Sequence, residues 1–139
     1  MKNKIKYIAE ISSNHNSSII RCKKFIDIAK ISGFDSVKFQ LFKIEKLFHD
    51  SILKKSKKHR LRKKWELSES FLPVLSSHAK KKGLNFGCTP FFYDAVEILE
   101  PYVDFFKIAS YELLRLDLIE RCIQTKKHII FSIGMANQK

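Results

Sequence analysis

Two lysines stand where lysine is unexpected. Lys38, within Ser36-Val37-Lys38-Phe39-Gln40-Leu41-Phe42, and Lys107, within Asp104-Phe105-Phe106-Lys107-Ile108-Ala109-Ser110, each interrupt an apolar run. Lysine is almost never buried unless its charge is paired. One solution is internal: each ammonium snorkels to solvent or meets a neighbouring carboxylate such as Glu10. The other is a ligand. Thr89, Ser110 and Ser132 close comparable apolar runs, and two cations beside three hydroxyls suit a phosphate and a carboxylate held by charge-assisted hydrogen bonds. Glu10 and Glu112 are then placed to bind hydroxyls of a second substrate or to move a proton. A Schiff base on one lysine is the alternative chemistry; anion binding accounts better for the accompanying hydroxyls.

The remaining chemistry-bearing residues read as structural. His15 lies between Asn14 and Asn16 with no second histidine or cysteine at ligand spacing, which points to a hydrogen bond shaping a loop rather than to a metal. His49, His59, His78 and His128 read as surface residues. Trp65 reads as an apolar anchor closing a basic segment. Cys22, Cys88 and Cys122 form no CxxC pair and read as small core residues of a reduced, cytoplasmic chain without structural zinc.

The elements that must position these groups alternate. Tyr7–Ser12 reads as a strand, and Ser17–Lys30 as a helix with Ile19, Cys22, Phe25, Ile26 and Ala29 at helical spacing. Ser36–Phe42, Leu84–Thr89, Asp104–Ser110 and His128–Ile133 read as further strands. Helices are predicted over Ser70–Lys82, with Pro73 in its first turn, over Asp94–Glu100 and over Leu114–Thr125. A long polar excursion separates the second strand from Trp65-Glu66-Leu67-Ser68.

Strand–helix alternation implies parallel βαβ units in an α/β fold. A Rossmann sheet requires a glycine-rich turn after its first strand, and Ser12-Ser13-Asn14-His15-Asn16-Ser17 has no glycine. A (β/α)8 TIM-type barrel instead requires polar residues at the C-terminal ends of its strands, as found here. Lys38 and Gln40 share one strand face, whereas Lys107 and Ser110 differ in parity, so one of the latter lies beyond its strand. Five units cannot close an eight-stranded barrel. The expectation is that residues 1–139 form the first five β/α units of a longer barrel, incomplete as they stand.

The 139 residues include 27 Lys and Arg against 14 Asp and Glu, a net charge of +13. Eight of the basic residues fall between Lys54 and Lys64; without them the balance is +5. The excess is one segment, read as a solvated loop or helix face. A nucleic-acid-binding module is the alternative, disfavoured because no aromatic residue interleaves the run to stack bases. No apolar stretch approaches the roughly 20 residues of a membrane span, and Met1-Lys2-Asn3-Lys4 does not lead into a signal peptide.

Five motifs in order carry a resemblance. Ile8-Ala9-Glu10-Ile11-Ser12-Ser13-Asn14-His15-Asn16, Val37-Lys38-Phe39-Gln40, Cys88-Thr89-Pro90-Phe91, Phe106-Lys107-Ile108-Ala109-Ser110 and Ser132-Ile133-Gly134-Met135-Ala136 resemble the sialic acid synthase family, as does Glu66-Leu67-Ser68. The resemblance implies condensation of phosphoenolpyruvate with an N-acylated, N-acetylmannosamine-like aminosugar to a nine-carbon 2-keto acid and phosphate. It implies that Lys38, Thr89, Lys107, Ser110 and Ser132 bind phosphoenolpyruvate, that Glu10 contacts the sugar with Gln40 close by, and that Glu112 transfers a proton. It further implies a homodimer and a divalent metal, Mn2+ or Mg2+, whose histidine ligands belong to later barrel strands, so that this chain alone would be inactive. A non-catalytic remnant is the alternative. The family often has glycine at Ser17, serine at Cys88 and threonine at Ile133, while Tyr111 resembles its pseudaminate-type members.

Overall fold

Each strand places apolar residues on one face and mixed residues on the other, and the two faces meet different surroundings. The computed structural model describes residues 5–134, 136 and 137; Met1–Lys4, Met135 of the last motif, Gln138 and Lys139 lie outside the described residues. Five strands, β1 (Ile8–Ser12), β2 (Ser36–Leu41), β3 (Asn85–Pro90), β4 (Phe105–Ile108) and β5 (His128–Phe131), pair in parallel in the order β1-β2-β3-β4-β5. Every strand lies beside its predecessor, with none of the order reversal of a doubly wound sheet. This is the progression of a barrel wall, and among the described residues the wall is not closed.

The outward face holds the core. Val37, Phe39, Leu41, Phe86, Cys88, Phe106 and Ile108 are fully buried or nearly so. They pack under α1 (Ile19–Ile31) and, in chain order, three later helices over Leu72–Lys81, Ala95–Leu99 and Leu116–Gln124. Burying each large side chain contributes about 2–3 kcal/mol. Burial pushes the Cys88 thiol up to about 12 and those of Cys22 and Cys122 up to about 11, so the cysteines are inert core residues, as expected.

The first helix starts later than its apolar spacing predicts. Asn16 and Ser17 adopt left-handed φ values of 47° and 53°, and Ser18 caps the helix by accepting the Arg21 N–H. Ser17 thus occupies the conformation glycine favours, at the position where the resembled family often has glycine. Its hydroxyl compensates, lying 2.9 and 2.8 Å from the Lys64 and Glu66 carbonyl oxygens.

Those contacts tie down the polar excursion, which is not a free loop. It folds as α2 (Ile44–Leu47), α3 (Asp50–Lys55), α4 (Lys57–Arg60) and a 3-10 helix over Leu61–Trp65. Arg60 donates to the Leu53 and Lys54 carbonyls at the end of α3, and Lys63 pairs with Glu45 at 2.6 Å. Glu66 accepts the Ile44 N–H at 2.8 Å. A second 3-10 turn, Glu69–Phe71, leads into α5 (Leu72–Lys81), with Pro73 in its first turn. After β3 come α6 (Ala95–Leu99), a 3-10 turn at Ser110–Glu112 following β4, and α7 (Leu116–Gln124). No helix of the described residues is long and apolar enough to cross a membrane.

Candidate active site

The inward face and the C-terminal ends of the strands carry the polar residues singled out by sequence. The structure divides them into two neighbouring groups.

The first group is internally satisfied. Parallel register sets Glu10 opposite Lys38 and Gln40 opposite Thr89. The Lys38 side chain is 4% exposed, and its ammonium lies 2.7 Å from Glu10 Oε2 and 2.9 Å from Thr89 Oγ1. A bulge between Glu10 and Ser12, where Ser12 turns to φ 53°, lets the Ser12 N–H donate to Glu10 Oε1 at 2.9 Å. Of the two solutions open to Lys38, the structure contains the internal one: a neighbouring carboxylate carries its charge.

The second group faces an open cleft of about 760 Å³. Gln40 and Lys107 supply its strand-borne floor, and Ser110, Glu112 and Ser132 stand at the strand ends. The parity problem resolves as expected, because β4 stops at Ile108 and Ser110 begins a 3-10 turn. Ser132 is brought alongside by its N–H, which donates to the Ile108 carbonyl at 3.0 Å. Gly134 also approaches here, and a Cβ on it would lie 3.6 Å from Ser110 Oγ. Among the described residues, Lys107 has no ion-pair partner, in contrast to Lys38.

Glu112 is buried although it borders the cleft. Burial pushes its carboxyl above the usual carboxylate range, Arg115 pulls it down, and Asp117 raises it further. Its Oε2 accepts from Arg115 Nη1 at 3.4 Å, while Arg115 pairs more closely with Asp117 at 3.0 Å. A raised carboxyl keeps its proton to higher pH than a solvated one does.

His15 is completely buried, and its Nδ1 accepts the Ser17 N–H at 3.0 Å, so it shapes the loop after β1 as the sequence suggested. The other histidines diverge. His49 and His128 are exposed, but His78 is half-buried and 3.0 Å from Asp27, and His59 is half-buried with its ring centroid 4.6 Å from that of Phe48. Among the described residues no three His, Cys, Asp or Glu side chains converge in a way that could hold a metal ion.

Sequence reasoning missed Arg62. It was counted only as part of the basic run, yet it lines the cleft with Phe48 and Trp65, its guanidinium 5.5 and 6.0 Å from their ring centroids. Trp65 is therefore more than a loop anchor, since its face supports a cation. The one available signal was a pair of aromatic residues bracketing the run.

Residues 25–139 match the NeuB family. The chain is 37% identical over 145 residues to an N,N'-diacetyllegionaminic acid synthase of Campylobacter jejuni, covering 94% of this chain and 42% of that protein. It is 32% identical over 142 residues to a pseudaminic acid synthase of Helicobacter pylori, with the same coverages. The crystal structure of an N-acetylneuraminic acid synthetase from Leptospira borgpetersenii, in complex with citrate, superposes with a TM-score of 0.89 at 26% identity, over 98% of this chain and 47% of that one. The chain thus spans less than half the length of these relatives.

Proposed function

The chain belongs to the NeuB family, and from that premise we propose that its cleft is the phosphoenolpyruvate end of a synthase active site within residues 1–139 of a barrel domain. Its homologues are sialic, legionaminic and pseudaminic acid synthases. The reaction is condensation of phosphoenolpyruvate with an N-acylated, N-acetylmannosamine-like aminosugar. A carbon–carbon bond forms between the enol carbon and the sugar aldehyde, one water is consumed, and a nine-carbon 2-keto acid and inorganic phosphate leave.

The observation that carries this reading is the unneutralised Lys107 beside Ser110 and Ser132 at the ends of adjacent strands. One cation and two hydroxyls in fixed positions make an anion cradle, and they stand where a barrel keeps its chemistry. Lys38 and Thr89, both buried and outside the cleft lining in this structure, would join that cradle on ligand binding. The Lys38 charge becomes available to the ligand when Glu10, whose side chain is 47% exposed, turns towards sugar hydroxyls. Gln40 lies on the same strand face and contacts the sugar beside Glu10. Glu112 holds the proton moved during the reaction.

The divalent metal implied by the family, Mn2+ or Mg2+, would polarise the aldehyde. The described residues do not supply its ligand set. A homodimer is part of the same proposal, as is a cytoplasmic location.

The test is phosphate release from phosphoenolpyruvate with each candidate N-acylated aminosugar, using the protein with and without Lys107→Ala. Sugar-dependent release, reduced at least 100-fold by the substitution, is the expected result. Release that is insensitive to Lys107→Ala would defeat the assignment.

A further inference from the structure

We propose that Ser17 is a positioning residue for the cleft: its hydroxyl clamps the backbone on both sides of Trp65 and so holds in place the wall built by Phe48, Arg62 and Trp65. The inference rests on the synthase reading above only for the ligand used to probe the cleft.

The wall comes from a segment with little of its own to hold it. Phe48, Arg62 and Trp65 all line the cleft, yet α3, α4 and the 3-10 helix over Leu61–Trp65 contain no buried residue. An element with few buried apolar contacts lies at the low end of local stability. Its side chains stack on one another instead. The His59 ring lies 4.6 Å from that of Phe48, the Arg62 guanidinium 5.5 Å from Phe48 and 6.0 Å from Trp65, and the Lys64 ammonium 5.9 Å from Trp65. These contacts join the segment to itself rather than to the sheet.

Ser17 supplies a fixed point outside the stack. Its Oγ lies 2.9 Å from the Lys64 carbonyl oxygen and 2.8 Å from that of Glu66, the two residues flanking Trp65. One hydroxyl proton is shared between two acceptors. Ser17 is itself anchored, because its N–H donates to Nδ1 of the buried His15 and its neighbour Ser18 caps α1. The same turn places Ser13 in the cleft lining, so the clamp joins two parts of one site. Without the hydroxyl, the Trp65 ring and the Arg62 cation loosen together, and a ligand must order them as it binds, which costs affinity.

Trp65 is the only tryptophan in the chain, so its fluorescence reports on the wall directly. Ser17→Gly removes the hydroxyl and suits the left-handed φ of 53°; Ser17→Ala removes the same hydroxyl and keeps the strain. Acrylamide quenching of Trp65 is expected to rise about twofold in both variants, with the melting temperature of Ser17→Gly within about 3 °C of the unaltered protein. Calorimetric titration with phosphoenolpyruvate is expected to show affinity about fivefold weaker in both, the scale of one hydrogen bond. Unchanged quenching in Ser17→Gly, or raised quenching with unchanged affinity, would overturn the proposal. So would loss of the folded state in Ser17→Gly, since the hydroxyl would then hold the fold rather than the wall. Phosphoenolpyruvate binding that is indifferent to Lys107→Ala, or absent from the unaltered protein, defeats the synthase reading instead. Quenching needs no ligand and then still decides the clamp.

Discussion

The Lys38 ammonium lies 2.7 Å from the Glu10 carboxylate, and the two side chains differ sharply in exposure, at 4% and 47%. This asymmetry decides which half of the pair can be lost. Without Glu10, a buried cation keeps only the Thr89 hydroxyl and a long contact to the Phe39 carbonyl. Without Lys38, Glu10 can rehydrate. Glu10→Gln is expected to cost about 3 kcal/mol, in the range for stranding a buried charge, whereas Lys38→Met should cost about 1 kcal/mol or less. Urea unfolding of both variants measures the difference, and equal costs would contradict the asymmetry.

Gly87 makes room for an aromatic ring on the inward face. A Cβ at this position would lie 2.1 Å from the Phe105 ring, on the neighbouring strand in register with it. Gly87→Ala therefore forces Phe105 aside and is expected to destabilise the fold by about 1–3 kcal/mol. Adding Phe105→Leu should recover part of that loss, giving a coupling between the sites of about 1 kcal/mol in a double-mutant cycle. Additive effects would mean the ring is not the obstacle.

His15 ties stability to acid. Burial pushes its imidazole below its ordinary value, so between that lowered pKa and about 6.5 the unfolded chain binds the extra proton. Its contribution is complete above that window and is lost as pH falls through it. Protonation also removes the Nδ1 lone pair that accepts the Ser17 N–H. Glu112 works in the opposite sense: its raised carboxyl favours the protonated fold, so its contribution is lost as pH rises through the raised pKa. Comparing melting temperatures at pH 7.5 and 5.5 for the unaltered protein and His15→Gln isolates the histidine. The drop on acidification should be smaller in the variant; equal drops would rule out His15 as the acid-sensitive group.

Local patterning made the sheet legible and left the long-range contacts hidden. Strands such as Ser36–Leu41 and His128–Phe131 were found within one or two residues, because short runs rich in β-branched and aromatic residues near glycine turns are a local signal. The helix predicted from Ser17 begins at Ile19 because left-handed Asn16 and Ser17 precede the Ser18 cap, a backbone feature that apolar spacing does not encode. The short helices between Ile44 and Trp65 were missed because a run of charges has no apolar period to read. In the site, the sequence offered Glu10 as one possible partner for Lys38, and the register of β1 against β2 is what selects that solution over a ligand-bound cation. Arg62 escaped for the same reason: its position depends on how Ser17 and Glu66 fasten a distant segment.

The central claim is that the cleft at Lys107, Ser110 and Ser132 binds phosphoenolpyruvate, and a direct titration tests it. Adding phosphoenolpyruvate to the protein while following its phosphorus resonance and the heat of binding should give saturable binding at one site per chain. Lys107→Ala should weaken that binding at least tenfold, equivalent to about 1.4 kcal/mol, with the melting temperature preserved because the half-buried ammonium has no ion-pair partner to strand among the described residues. Binding of unchanged strength in Lys107→Ala, or no binding by a folded, unaltered protein, would contradict the account.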